Sequence, residues 1–214
     1  MIHQTPRTTT SRMPKRTQYD KEKTYAILDE ALFCTISYSV ENQPFSIPTA
    51  FVRKGNRLYI HGSVGSHFLG GIASGNPVCI SIMLTDALVV AKSAFHHSVN
   101  YRSVILFSNA VKHDKFEEKA LFFKELTEKM VPNSWEYLRP MKQSEVNKTM
   151  LLSFEISEAS ARTRTGMPND DEEDKNLPIW SGIIPIPLKR LPAIGDESSI
   201  NIALPEHLIL EPLK

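Results

Sequence analysis

Two adjacent histidines, an asparagine, a tyrosine and an arginine stand together in the stretch SAFHHSVNYRSV, Ser93 to Val104. Lys92 precedes it, and the apolar runs ALVVA and VILFSNAV flank it. Imidazoles, a carboxamide and a guanidinium are directional hydrogen-bonding groups. Between two buried strands they either tie down backbone, through Asn100 and Arg102, or wall a ligand site with Lys92 and Ser93 as further members. A second candidate is FSIPTAFV, where Ser46, Pro48 and Thr49 interrupt an apolar strand around Ile47. Proline removes one backbone donor, which suits an edge or a bulge and leaves amides free for a planar heterocycle. A third is YIHGSVGSHFLGG, where a strand ends at His61, Gly62 and Ser63 and a helix opens at Ser66 and His67. Unpaired N–H groups at a helix start favour a phosphate; the plainest role of Ser66 is to cap that helix.

Several chemistries lack their signature. No G-x-G-x-x-G follows a strand, and there is no Walker A loop, G-x-S-x-G elbow or H-E-x-x-H. His61, His67, His96 and His97 are not at i, i+4 spacing and no carboxylate cluster accompanies them, so no metal site is expected. The formal net charge of +1 over 214 residues gives no field for nucleic acid or an anionic membrane. No apolar run approaches the roughly 20 residues of a membrane helix. Cys34 and Cys79 each sit in a strand-like run without C-x-x-C spacing, as buried thiols of a reducing cytoplasm do.

These residues must be positioned by short strands. The pattern predicts strands at Phe33 to Ser39, Phe45 to Arg53, Leu58 to Gly62, Val78 to Leu84, Leu88 to Lys92 and Val104 to Lys112, with ENQP and KGNR as hairpin turns. Asp20 caps a first helix whose Ile27, Leu28, Ala31 and Leu32 share a face. A longer helix over Lys115 to Met130 groups Phe116, Ala120, Phe123, Thr127 and Met130. LLSFEISEASAR reads as one more strand, and the five-acid run Asp170 to Asp174 as a solvated segment. Residues 1 to 18 read as a flexible arm, and 19 to 214 as one domain. The fold class is mainly β with peripheral helices, a barrel or sandwich rather than a doubly wound sheet.

The ordered set ILDEA, FSIPTAF, LYIHGSVGSHFL, SAFHHSVNYRSV, EEKA, ASARTRTGMPNDDEED and IWSGIIPI resembles the flavin-nucleotide-binding proteins of the pyridoxamine 5′-phosphate oxidase-like superfamily, in the branch that includes nitroimidazole-resistance proteins. The likeness spans Arg12 to Ile186. It implies an FMN-binding split β-barrel that forms a homodimer with FMN at the interface and a small-molecule substrate. Carried over by position, Ser46, Ile47, Pro48 and Thr49 line the flavin ring, and His61, Gly62 and Ser63 lie beside it. Ser66 and His67 occupy the family's Ser-Arg pair near the phosphate, with histidine in place of arginine. Trp180 matches a late tryptophan that the family places near the cofactor of the partner subunit. A cation such as Lys92 or Arg102 near N1 would raise the flavin's potential. The function implied is an FMN-dependent oxidoreductase. Two alternatives stand beside it: a flavin carrier or sensor without turnover, and a haem-binding barrel in which His61, His67, His96 or His97 ligates the iron.

Overall fold

The computed structural model describes residues 2–209. Its strands are β1 (Thr17–Gln18), β2 (Phe33–Val40), β3 (Gln43–Ala50), β4 (Val52–Lys54), β5 (Arg57–Ser63), β6 (Val78–Val90), β7 (Ser98–Ser108), β8 (Ala110–His113), β9 (Thr149–Glu155), β10 (Glu158–Arg164) and β11 (Gly182–Pro185). The α-helices are α1 (Lys21–Glu30), α2 (His67–Ala73), α3 (Phe116–Met130) and α4 (Gln143–Asn147). All strand pairs are antiparallel. One sheet runs β1-β10-β7-β6-β2-β3, with β11 also on β6; the other runs β4-β5-β9-β8. The chain turns from one sheet to the other at Phe51, at Asn109 and at Ile156–Ser157. Such abrupt corners close two sheets around a shared interior, and the result is the expected split β-barrel. The interior is filled by Ile36, Phe51, Leu58, Ile60, Ile80, Leu106, Leu152 and Phe154, all without solvent exposure.

Local chemistry accounts for most boundaries. Asp20 Oδ1 accepts from the Lys23 N–H at 2.8 Å and starts α1, whose Ile27 and Leu28 are buried. Glu41 and Asn42 both take positive φ, 48° and 63°, as a two-residue hairpin requires. Gly55 takes φ 60° in the next turn. Pro44 and Pro48 lie in β3, an edge strand, where a missing N–H costs no ladder bond.

Six expectations about the elements differ from the structure. The runs 45–53 and 104–112 each split into two strands at a barrel corner, at Phe51 and at Asn109. The runs 78–84 and 88–92 form the single strand β6, whose register shifts between Thr85 and Ala87; the bulge at Asp86 absorbs the polar break. LLSFEISEASAR is two strands, because Ile156 is buried at a barrel corner. The buried stripe of α3 is Lys119, Phe122 and Leu126, while Phe116 and Met130 stay 36% and 46% exposed. Residues 2 to 18, read as a flexible arm, lie along the sheet. Ile2 and Thr8 are buried, His3 N donates to Ser157 O at 2.7 Å, and Arg7 pairs with Glu158.

Candidate functional site

Strand β3 ends its sheet, and the barrel is open there. Phe45 and Ile47 lie opposite Tyr38 and Ile36, two core residues, yet remain 42% and 40% exposed. Phe45 stacks on Tyr38 at 5.1 Å, and the outer sides of Phe45 and Ile47 stay open because β3 has no strand on its outer edge. On the other face Ser46 Oγ and Ser37 Oγ share a hydrogen bond of 2.8 Å, with Pro48 beside them opposite Thr35. Thr49 is half-buried opposite the buried Cys34. The outcome is an edge with an apolar strip on one face, hydroxyls on the other and unpaired backbone groups along it. That donor and acceptor set fits a planar heterocycle.

Next to this edge, β5 passes into α2. Gly62 has no room for a side chain: an added Cβ would meet Leu69 Cδ1 at 2.6 Å, so glycine lets α2 close onto the strand. Ser63 Oγ accepts from Gly65 N at 3.2 Å, and Ser66 Oγ caps α2 through Leu69 N at 3.3 Å. His67 is exposed and has no hydrogen-bond partner among the described residues. His61 turns the other way, between Phe122 and Phe123 of α3, each ring 5.3 Å off. Burial pushes its basicity down and leaves Nδ1 unpartnered. Its ring therefore belongs to the α3 packing, not to the β3 edge.

The β6–β7 hairpin behaves differently. Arg102 lies between two carboxylates, donating Nε to Asp86 at 3.0 Å and Nη2 to Glu30 at 2.7 Å. Both partners hold its proton more firmly. Asn100 is buried; its amide donates to Gly166 O at 3.0 Å and its Oδ1 accepts from Arg164. Lys92 Nζ donates to the carbonyls of Lys175 and Leu177 at 2.8 and 2.6 Å. The two cations proposed for the flavin thus spend their donors inside the chain. The acidic run is not merely solvated. Asp170 Oδ1 accepts from Lys92 N at 2.7 Å, and Asp171 Oδ2 meets His96 Nε2 at 3.0 Å. Ser93 offers its carbonyl to the His96 N–H at 3.2 Å and to His97 Nδ1 at 2.9 Å.

Asp86 and Glu30 are residues that the sequence did not single out, and Asp170 and Asp171 were read only as part of a solvated run. Opposite charge was their signal, but Glu30 is 72 positions from Arg102 and Asp170 is 78 from Lys92. Trp180 is 64% exposed and lies over Gly182, where a Cβ would come within 2.8 Å of its ring. A cleft of about 550 Å³ beside Arg102 also contains Lys129, Met83 and Arg190. Lys129 Nζ sits 4.0 Å over the Phe51 ring and donates to Leu28 O at 3.0 Å, and burial pushes its pKa down to about 8. Cys34, beneath it, is pushed up to about 12 by burial. Among the described residues no three metal-ligating side chains converge and no helix is long and apolar enough to cross a membrane.

Residues 20–163 match the family model described as Pyridoxamine 5′-phosphate oxidase. The flavocytochrome Anf3 from Azotobacter vinelandii is 35% identical, with a TM-score of 0.89, covering 95% of this chain and 95% of that one. The FAD and heme binding protein from Mycobacterium smegmatis is 28% identical, with a TM-score of 0.83, covering 90% of this chain and 95% of that one. A protein from Bacteroides thetaiotaomicron, named for 5-nitroimidazole antibiotic resistance, is 16% identical with a TM-score of 0.58 over 68% and 84%; it attests to the fold alone. No curated protein matches this chain.

Proposed function

Because the chain belongs to the pyridoxamine 5′-phosphate oxidase-like family, we propose that it is a flavin- and haem-binding redox protein that acts as a homodimer. The observation that carries this reading is the end-to-end likeness to a flavocytochrome, 35% identical over 95% of both chains. A second relative, named for binding FAD and heme, shares 28% identity. Haem, first weighed as an alternative to flavin, becomes its companion. The name of the second relative favours FAD over the FMN that the family resemblance alone implies.

The open β3 edge is the assigned flavin wall. Ile47 and Phe45 offer apolar surface, Ser46 and Thr49 hydroxyls, and the strand's free edge backbone donors and acceptors. Ser63, Ser66 and His67 are assigned to the phosphate, His67 through a ring with no partner among the described residues. When bound, flavin supplies exchange between two-electron and one-electron steps, and haem a one-electron site. The protein's part is to hold both, exclude water and tune potential. Phe33 and Met83, 59% and 69% exposed, are apolar surface that a second copy would cover. The free thiols Cys34 and Cys79 suit a reducing compartment such as the cytoplasm.

Acid extraction followed by chromatography, with a haem assay on the same sample, tests the proposal. FAD and haem near one of each per chain are expected. FMN in place of FAD restores the narrower family reading, and protein that takes up neither cofactor when both are supplied overturns the proposal.

A further inference from the structure

The outer face of the β4-β5-β9-β8 sheet is covered by α3 only in part. Leu58 and Ile60 of β5 point into the barrel, so Arg57, Tyr59 and His61 face outward. At the His61 end, Phe122 and Phe123 close on the sheet. Next to it runs a cross-strand row, Val52, Tyr59, Ser153 and Val111. Between this part of the sheet and α3 lies a cavity of about 350 Å³. Val52, Leu121 and Phe122 form its apolar wall, and Tyr59, His113 and Glu118 supply polar atoms. None of its lining residues belongs to the β3 edge, the α2 turn or the cleft beside Arg102.

A buried relay fixes the polar side. Arg57 Nε donates to Ser153 Oγ at 2.9 Å, and Ser153 Oγ lies 2.7 Å from His113 Nε2. Among the described residues the Ser153 hydroxyl has no other acceptor, so it donates to Nε2. The His113 ring is then neutral, with its proton on Nδ1, which faces Glu118 Oε2 at 3.4 Å. Ser-His-Glu is also the order of a hydrolytic triad. Ser153 is fully buried and its oxygen already takes Arg57, so it is no nucleophile for a ligand.

Charge at the cavity is therefore one-sided. Glu125 is matched by Lys54, and Lys112 by Asp114 at 2.9 Å. Lys119 is buried on α3 and does not line the cavity. Glu118 faces only a neutral imidazole. Tyr59, its ring 5.7 Å from that of His113, has no hydrogen bond on its hydroxyl among the described residues.

We propose that this cavity binds a small organic cation: a primary ammonium on an aromatic or short alkyl body. An ammonium has three donors and no acceptor. The Glu118 carboxylate and the Tyr59 oxygen accept from it, and the Tyr59 ring offers a cation–π face. The body lies against Val52, Leu121 and Phe122. A volume near the lower end for small-molecule sites limits that body to one ring or a short chain.

Isothermal titration calorimetry of the full-length protein with phenethylammonium, neutral 2-phenylethanol and phenylacetate tests the proposal, in wild type, Glu118→Gln and Leu121→Trp. Both substitutions fall on partly exposed side chains, 44% and 45%, and the melting temperature of each variant checks its fold. In wild type the ammonium should bind at least about tenfold more tightly than the alcohol, and phenylacetate more weakly than either. Glu118→Gln should bring the ammonium down to the level of the alcohol, and Leu121→Trp, which fills the cavity, should weaken both. No preference for the ammonium in wild type, or none bound at millimolar concentration, would overturn the proposal. A preference that survives in folded Glu118→Gln, or ammonium binding unchanged in folded Leu121→Trp, would overturn the site.

Discussion

The β6–β7 hairpin and the β3 edge look alike as sequence: polar, aromatic and apolar residues mixed within a strand and its turn. In three dimensions they are opposites. On the hairpin and its strands, Lys92, His96, Asn100 and Arg102 are all consumed by partners within the chain. On the β3 edge and the neighbouring α2 turn, Ile47 and Phe45 keep about two fifths of their surface exposed and His67 has no hydrogen-bond partner among the described residues. A side chain's chemistry becomes available to a ligand when the fold leaves it unspent, and residue type alone does not tell which will happen. His97 is the instructive exception: one ring nitrogen is spent and the other is free.

The contrast can be broken by substitution. Arg102→Ala leaves Asp86 and Glu30 facing each other without their cation. We expect a loss of about 2 kcal/mol in urea unfolding, tempered by partial solvent access, and unchanged flavin content in the folded fraction. A specific loss of flavin with full stability would return Arg102 to the cofactor. Ile47→Asp should do the reverse. It puts charge on the uncovered strip, so stability should change by no more than about 0.5 kcal/mol while flavin affinity falls on the order of tenfold. Equilibrium titration and melting of the same preparation separate the two effects.

Smaller changes sharpen it. His67→Arg replaces a single ring donor with a permanently charged fork suited to phosphate. It should tighten flavin nucleotide binding by about 1 kcal/mol, roughly fivefold, and leave riboflavin, which lacks the phosphate, unaffected. Equal effects on both ligands would remove His67 from the phosphate. Lys129 gives a pH signature instead. Burial disfavours its charged form, so the folded chain releases this proton near pH 8 while the unfolded chain holds it to about 10.5. The stability penalty is fully present below pH 8 and is relieved as pH rises towards 10.5. In Lys129→Met that part of the rise should vanish from unfolding midpoints measured between pH 7.5 and 10; identical slopes in the two proteins would mean that Lys129 is solvated.

Much of the scaffold was legible. The cap at Asp20, the edge character of β3 from Pro48 and the glycine turn at Gly55 are local effects, decided within a few residues. The face of α3 was not, because the sheet and His61 determine which stripe is covered: Phe122 inward and Phe116 outward. Nor was the N-terminal segment, whose low apolar content hid an anchoring pair, Arg7 and Glu158, 151 positions apart. The site residues divide along the same line. Ile47 and His67 stayed available, Ser46 found Ser37 on the neighbouring strand, and Lys92 and Arg102 were matched by carboxylates and carbonyls distant in sequence.

The central claim is that two copies of this chain hold both a flavin and a haem. Size-exclusion chromatography with light scattering and simultaneous absorbance in the protein, flavin and Soret bands tests it most directly, on protein supplied with both cofactors. The account predicts one peak at the dimer mass carrying both chromophores in equal ratio across its width. A monomer peak that retains flavin, or a dimer without any Soret absorbance, would contradict it.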